Sequence, residues 1–179
     1  MSDGGRRVLV LGGARSGKSV HAELLLRDEP AVDYVATAVR DPADDEWAER
    51  IIRHRQRRPA GWNTVETTDL ATVLAADGTA VLVDSVTAWL SVVMERAGVW
   101  TGEAGAQDLL SVEIDRAVGA WAATERRVVA VTDEVGSGIV PDSPSGRLFR
   151  DALGLLNQRL AASADEVWLV TAGIAQRLR

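Results

Sequence analysis

Arg7-Val8-Leu9-Val10-Leu11-Gly12-Gly13-Ala14-Arg15-Ser16-Gly17-Lys18-Ser19 is the stretch that decides how this chain folds. An apolar, β-branched run leads into a glycine-rich turn, and Lys18-Ser19 then opens an amphipathic segment. The spacing from Gly12 to Ser19 fits G-x-x-x-x-G-K-[ST], a loop that wraps phosphate groups. Glycines let the backbone approach an anion closely, so successive N–H groups of Gly13, Ala14, Arg15, Ser16 and Gly17 point at phosphate oxygens. The following helix adds the positive end of its dipole and its unpaired N–H groups. Lys18 supplies a mobile charge for the outer phosphates, and the Ser19 hydroxyl can ligate Mg²⁺.

Composition limits the alternatives. The chain has 179 residues, 46% of them hydrophobic and 26% charged, which predicts one soluble globular domain over 1–179. A net charge of −6 argues against a general binder of nucleic acid or membrane surfaces. There is no cysteine and there are only two histidines, which excludes disulfides, thiolate metal sites and a multi-histidine zinc site. The polar start predicts no signal peptide, and no apolar run has the length of a membrane span, so a cytoplasmic protein is expected.

Outward from the opening stretch, strands and helices alternate. Strands are predicted at 6–11, Val32–Thr37, Trp62–Glu66, Ala80–Asp84, Arg127–Thr132 and Glu166–Thr171. Helices are predicted at 18–28, 42–57, after a cap at Thr68 or Asp69, and at 86–97, 105–124 and 145–163. That alternation gives an α/β fold with a mostly parallel sheet flanked by helices. Val20, Leu24 and Leu25 are expected on the inner side of the first helix, with His21 in a packing or hydrogen-bonding role. Trp89, Trp100 and Trp121 read as core or subunit contacts rather than base-stacking platforms.

Three further stretches carry chemistry. Ala36-Thr37-Ala38 follows a strand's carboxyl end, where parallel sheets place ligands. Ala80-Val81-Leu82-Val83-Asp84 is a buried strand ending in a carboxylate, the Walker B form, so Asp84 can hold Mg²⁺ directly or through water. Arg50-Ile51-Ile52-Arg53-His54-Arg55-Gln56-Arg57-Arg58, stopped by Pro59, puts an imidazole among guanidiniums. Like charges favour its neutral, nucleophilic form, and the arginines would hold a phosphate chain beside it. By itself this segment reads first as a solvated basic helix face, as charge runs usually are. The long loop Asp133-Glu134-Val135-Gly136-Ser137-Gly138-Ile139-Val140-Pro141 looks functional rather than merely connecting.

Taken together, these stretches resemble the bifunctional adenosylcobinamide kinase / adenosylcobinamide-phosphate guanylyltransferase family of cobalamin biosynthesis, over nearly the whole chain. The resemblance rests on Gly12–Ser19, Tyr34–Ala38, Arg50-Ile51, His54-Arg55, Arg58-Pro59, Trp62 and Thr64-Val65-Glu66. It continues through Val83-Asp84, Glu134–Pro141, Phe149-Arg150-Asp151 and Asn157-Gln158. It implies a RecA-like P-loop fold and two reactions: ATP or GTP phosphorylates adenosylcobinamide, then GTP guanylylates a histidine that passes GMP to adenosylcobinamide-phosphate. The nucleophile would be His54. Ala36, Thr37, Ala38, Arg57, Arg58, Pro59, Ala60, Glu66 and Asp84 would contact guanine nucleotide or its metal. Such enzymes commonly assemble as trimers with sites between subunits. Asp133 stands where the family usually has Asn, and Ser85 where Cys is frequent. A P-loop small-molecule kinase without guanylyl transfer, or a nucleotide-binding switch or ATPase subunit, are the alternatives. The sequence leaves open the preferred phosphoryl donor, the base of the kinase step (Glu134 and Asp84 are candidates) and the corrinoid-binding residues.

Overall fold

The computed structural model describes residues 6–38, 59 and 61–179. Its strands are β1 (Arg7–Gly12), β2 (Val32–Ala36), β3 (Trp62–Glu66), β4 (Ala80–Asp84), β5 (Val128–Asp133), β6 (Glu166–Thr171) and β7 (Ile174–Arg177). Its helices are α1 (Lys18–Leu25), α2 (Leu70–Ala75), α3 (Val86–Arg96), α4 (Ala106–Ala123) and α5 (Pro144–Ser163). The strands form one sheet in the order β3-β2-β4-β5-β1-β6-β7. All neighbours pair in parallel except β6 with β7, which is antiparallel. The strands and helices predicted within the described residues are present, most within a residue or two of their expected ends. The helix predicted over 42–57 lies outside the described residues.

The inner strands are apolar throughout because both sheet faces are covered. Val81, Val83, Val128 and Ala130 turn to one face and pack with Trp89, Leu90, Trp121, Leu153 and Leu156 from α3, α4 and α5. Val8, Val10, Leu82, Val129 and Val131 turn to the other, against Ala22 and Leu26 at α1. This alternation is the period-two pattern of strand side chains. Trp89 and Trp121 are buried, and each donates its indole N–H to a main-chain carbonyl, of Thr68 and Leu160 respectively. Asp69, Ser85 and Ser143 cap α2, α3 and α5 with side-chain oxygens, whereas α1 opens at Gly17 without a side-chain cap.

Two features depart from the expected pattern. Val20 and Leu24 are 43% and 54% exposed, and the face of α1 that meets the sheet is the one carrying Ala22, with Leu25 only partly buried. The strand β7, unpredicted, turns back along β6 through Ala172 and Gly173, both with positive φ (52° and 80°).

Arg126 ties the amino end of β5 to its neighbours. Its guanidinium, 8% exposed with the rest of the residue, donates to the carbonyls of Thr79 (2.7 Å) and Val73 (3.0 Å) and pairs with Asp33. Burial would raise the Asp33 pKa, but hydrogen bonds from Arg126 and Asn63, with the Arg126 charge, hold it below the ordinary value. Asp165 is also lowered, by hydrogen bonds and charge from Arg7. Both carboxylates therefore add stability that is present above the unfolded carboxyl pKa and disappears as pH falls through the lower folded one. Arg126→Ala should destabilise the fold by about 3 kcal/mol in urea titration at neutral pH, because it strands Asp33 and two carbonyls. Asp33→Asn should flatten the loss of stability below about pH 4.

Candidate active site

β1 delivers the phosphate loop to the carboxyl edge of the sheet. A Cβ on Gly12 would stand 2.4 Å from Ser16 Oγ and 2.6 Å from the Val170 carbonyl, so the turn closes only on glycine. Arg15 and Gly17 take positive φ (56° and 96°), which coils the chain between strand and helix. The Ser16 N–H donates to the Gly13 carbonyl (3.2 Å), and the Ser16 carbonyl accepts from the Gly173 N–H (2.7 Å). The β6–β7 turn therefore props the loop from behind, while Gly13, Ala14 and Arg15 face solvent. The Lys18 ammonium lies 2.7 Å from Asp133 Oδ1 and donates to the Gly13 carbonyl (3.2 Å).

Parallel register lines up the other strand ends beside this loop. Gly12 pairs with Asp133 across β1 and β5, and Ala36 with Asp84 and Glu66 across β2, β4 and β3. Because β5 lies between β1 and β4, Asp84 sits two strands from the phosphate loop and Asp133 one. The Tyr34 hydroxyl donates to Asp84 Oδ2 (2.5 Å). The buried Thr37 hydroxyl donates to the Ser85 carbonyl (2.6 Å) and accepts from its N–H (3.1 Å), tying the ends of β2 and β4 together. Asp133 is held through its main chain. Its N–H donates to Thr87 Oγ1 (2.7 Å), and its carbonyl accepts from Asn157 Nδ2 (3.0 Å). Asn157 Oδ1 in turn accepts from Thr132 (2.8 Å).

The loop after β5 is internally bonded. The Glu134 carboxylate accepts from the N–H groups of Gly136 (2.7 Å) and Ser137 (3.3 Å). Arg150 donates to the Gly136 carbonyl (2.6 Å), and Arg147 to those of Pro141 (2.8 Å) and Asp142 (2.7 Å). Burial would raise the Glu134 pKa, but the Ser137 and Gly136 hydrogen bonds and the Arg150 charge lower it. Glu134 thus anchors the loop through its carboxylate. Ile139 stands at the tip, 97% exposed.

Of the residues singled out in the sequence, the fold sets Gly12–Ser19, Ala36–Ala38, Glu66 and Asp84 along one edge of the sheet, with Glu66 four strands from the phosphate loop. Pro59 is exposed, its carbonyl accepting from the Trp62 N–H (3.1 Å). His54, Arg57, Arg58 and Ala60 lie outside the described residues. His21 packs its ring 4.9 Å from that of Trp168, and burial lowers its pKa. Sequence reasoning missed the partnership of Asp133 with Lys18 and the propping turn at Ala172-Gly173. The small-residue–glycine pair between Thr171 and Ile174 was the one available signal for that turn.

The donor set suits Mg²⁺. A serine hydroxyl at the head of α1 and a strand-end carboxylate would give it the one or two hard oxygen ligands it usually takes from protein, with phosphates and water completing its shell. Among the described residues no group of three or more histidine, cysteine or acidic side chains forms a self-sufficient metal cage. Also among them, no helix is long and apolar enough to cross a membrane. Gly12→Ala should weaken nucleoside triphosphate binding by about tenfold or more in a fluorescence titration, since the loop must open to admit the new methyl group.

Comparison with known proteins agrees with this geometry. Residues 8–178 match the family described as cobinamide kinase / cobinamide phosphate guanyltransferase. The bifunctional adenosylcobalamin biosynthesis protein CobU of Salmonella typhimurium is 42% identical, over 96% of this chain and 99% of that protein. The protein of the same name from Escherichia coli is 43% identical over the same shares. Among solved structures, a prototypical ATPase from the type III secretion system of pathogenic bacteria superposes with a TM-score of 0.57 at 11% identity, over 93% of this chain and 51% of that one. That likeness is one of fold.

Proposed function

The chain belongs to the cobinamide kinase / cobinamide phosphate guanyltransferase family, and we propose that both of its reactions draw on the one phosphate loop at Gly12–Ser19. It is a bifunctional enzyme of adenosylcobalamin biosynthesis. The observation that carries the reading is the Lys18 ammonium, held at the sheet's carboxyl edge beside an uncapped helix terminus and a row of strand-end carboxylates.

In the kinase step, the loop's N–H groups and Lys18 hold the triphosphate of ATP or GTP. The aminopropanol hydroxyl of adenosylcobinamide attacks the γ-phosphorus and releases its proton to solvent, the bond to the bridging oxygen breaks, and the nucleoside diphosphate leaves. Lys18 neutralises charge on the outer phosphates as that bond opens. In the transferase step, the neutral imidazole of His54 attacks the α-phosphorus of GTP and pyrophosphate departs. The phosphate oxygen of adenosylcobinamide-phosphate then displaces the histidine, giving adenosylcobinamide-GDP. Arg57, Arg58, Pro59 and Ala60, with Ala36, Thr37, Ala38 and Glu66, contact the guanine nucleotide in this reading. Ser19 and Asp84 would hold Mg²⁺, which supplies charge neutralisation to the leaving phosphates. The active assembly is a homotrimer in the cytoplasm, and neither nucleic acid nor membrane is a partner.

Incubation with α-labelled GTP and Mg²⁺ should produce an acid-labile labelled peptide containing His54. His54→Ala should abolish that label and guanylyl transfer while sparing the kinase step. Lys18→Ala should lower both activities by a hundredfold or more, on the order of the effect of losing one transition-state charge contact. Labelling that persists in His54→Ala would exclude His54 as the nucleophile.

A further inference from the structure

We propose that Asp133 is a positioning residue that competes with the nucleotide for Lys18 and thereby makes triphosphate capture depend on a divalent cation. The inference rests on the phosphate-loop part of the function proposed above, and not on guanylyl transfer.

The ammonium of Lys18 has three protons to donate, and Asp133 and the Gly13 carbonyl take two of its contacts, at 2.7 and 3.2 Å. The Lys18 and Asp133 side chains are 13% and 26% exposed, so water and salt screen the pair less than they would a surface pair. The backbone that carries the carboxylate is also fixed in place. The flanking main chain is clamped to Thr87 and Asn157, and the next N–H, of Glu134, donates to the Gly12 carbonyl (3.2 Å). The Asp133 side chain thus projects from a strand end locked in register with the first residue of the phosphate loop.

A triphosphate reaches Lys18 only by displacing or sharing this carboxylate. When Lys18 turns to the phosphates, Asp133 loses its counter-charge and faces anionic oxygens, a like-charge juxtaposition that opposes binding. The main-chain N–H groups of the loop are dipoles and cannot cancel that charge. A nucleotide complexed with a divalent cation brings a compensating positive charge, so the penalty falls chiefly on metal-free nucleotide. Asp133 in this role acts through Lys18 and does no chemistry of its own.

The test is the Kd for GTP of the full chain by titration calorimetry, in excess Mg²⁺ and in chelator, for wild type, Asp133→Asn and Asp133→Ser. Asparagine keeps the shape and removes the charge; serine removes both. In either variant metal-free GTP should bind about tenfold or more tighter, a change of about 1.4 kcal/mol, while the Mg²⁺ complex changes by about threefold or less. The ratio of the two dissociation constants should therefore shrink. A ratio equal to that of wild type, or weaker binding under both conditions, would overturn the proposal. A lowered melting temperature with an unmoved ratio would mark Asp133 as merely structural, and failure of both variants to fold would do the same. Wild type that binds GTP but shows no shift on substitution sinks this inference alone. Wild type that binds GTP in neither condition sinks it together with the phosphate-loop reading.

Discussion

Parallel pairing of β1 with β5, which sets Gly12 beside Asp133, is the constraint on which the site depends. A parallel sheet delivers successive strand ends to one edge, because each crossover must return the chain to the same starting side. The phosphate loop and Asp133 are thus neighbours although 121 positions separate Gly12 from Asp133 in the chain (133 − 12), and Asp84 and Ala36 pair further along the same edge. The apolar strands that permit this arrangement are buried on both faces, which forces the polar chemistry to the strand ends.

Polar side chains near that edge are occupied in joining one strand end to the next element. Thr37 bonds both main-chain groups of Ser85, Thr87 reaches from α3 to the Asp133 N–H, and Asn157 reaches from α5 to the Asp133 carbonyl. Each such bond satisfies a partly buried group that would otherwise be destabilising, and together they hold the edge rigid. This explains two stretches that drew notice only by resemblance. Asn157 braces the end of β5, and Arg150 fastens the loop beyond it through the Gly136 carbonyl. Glu134 belongs to the same scaffold: its carboxylate closes the loop on itself.

Local pattern reading succeeded where a single segment carries its own signal. Glycines at steric limits, a lysine after them and apolar runs ending in acid are legible because the forces that act on them come from adjacent residues. The face of α1 was misread for the complementary reason. Val20 and Leu24 lie on a helix with apolar residues on more than one side, and only the position of the sheet selects Ala22 and Leu26 for burial. The strand β7 was missed because four residues pairing only with β6 leave a weak alternation.

The sequence by itself determined that this protein has a phosphate-wrapping loop on an α/β sheet, and its motifs placed it in its family. Backbone sterics and hydrophobic periodicity act over a few residues, so they can be read in one dimension. Only the tertiary structure decided that Asp133 is the carboxylate 2.7 Å from Lys18, that Glu134 is a loop anchor and that Gly173 props the phosphate loop. Those assignments depend on strand order and register, which arise from pairing between distant segments and leave no mark in any one stretch of sequence.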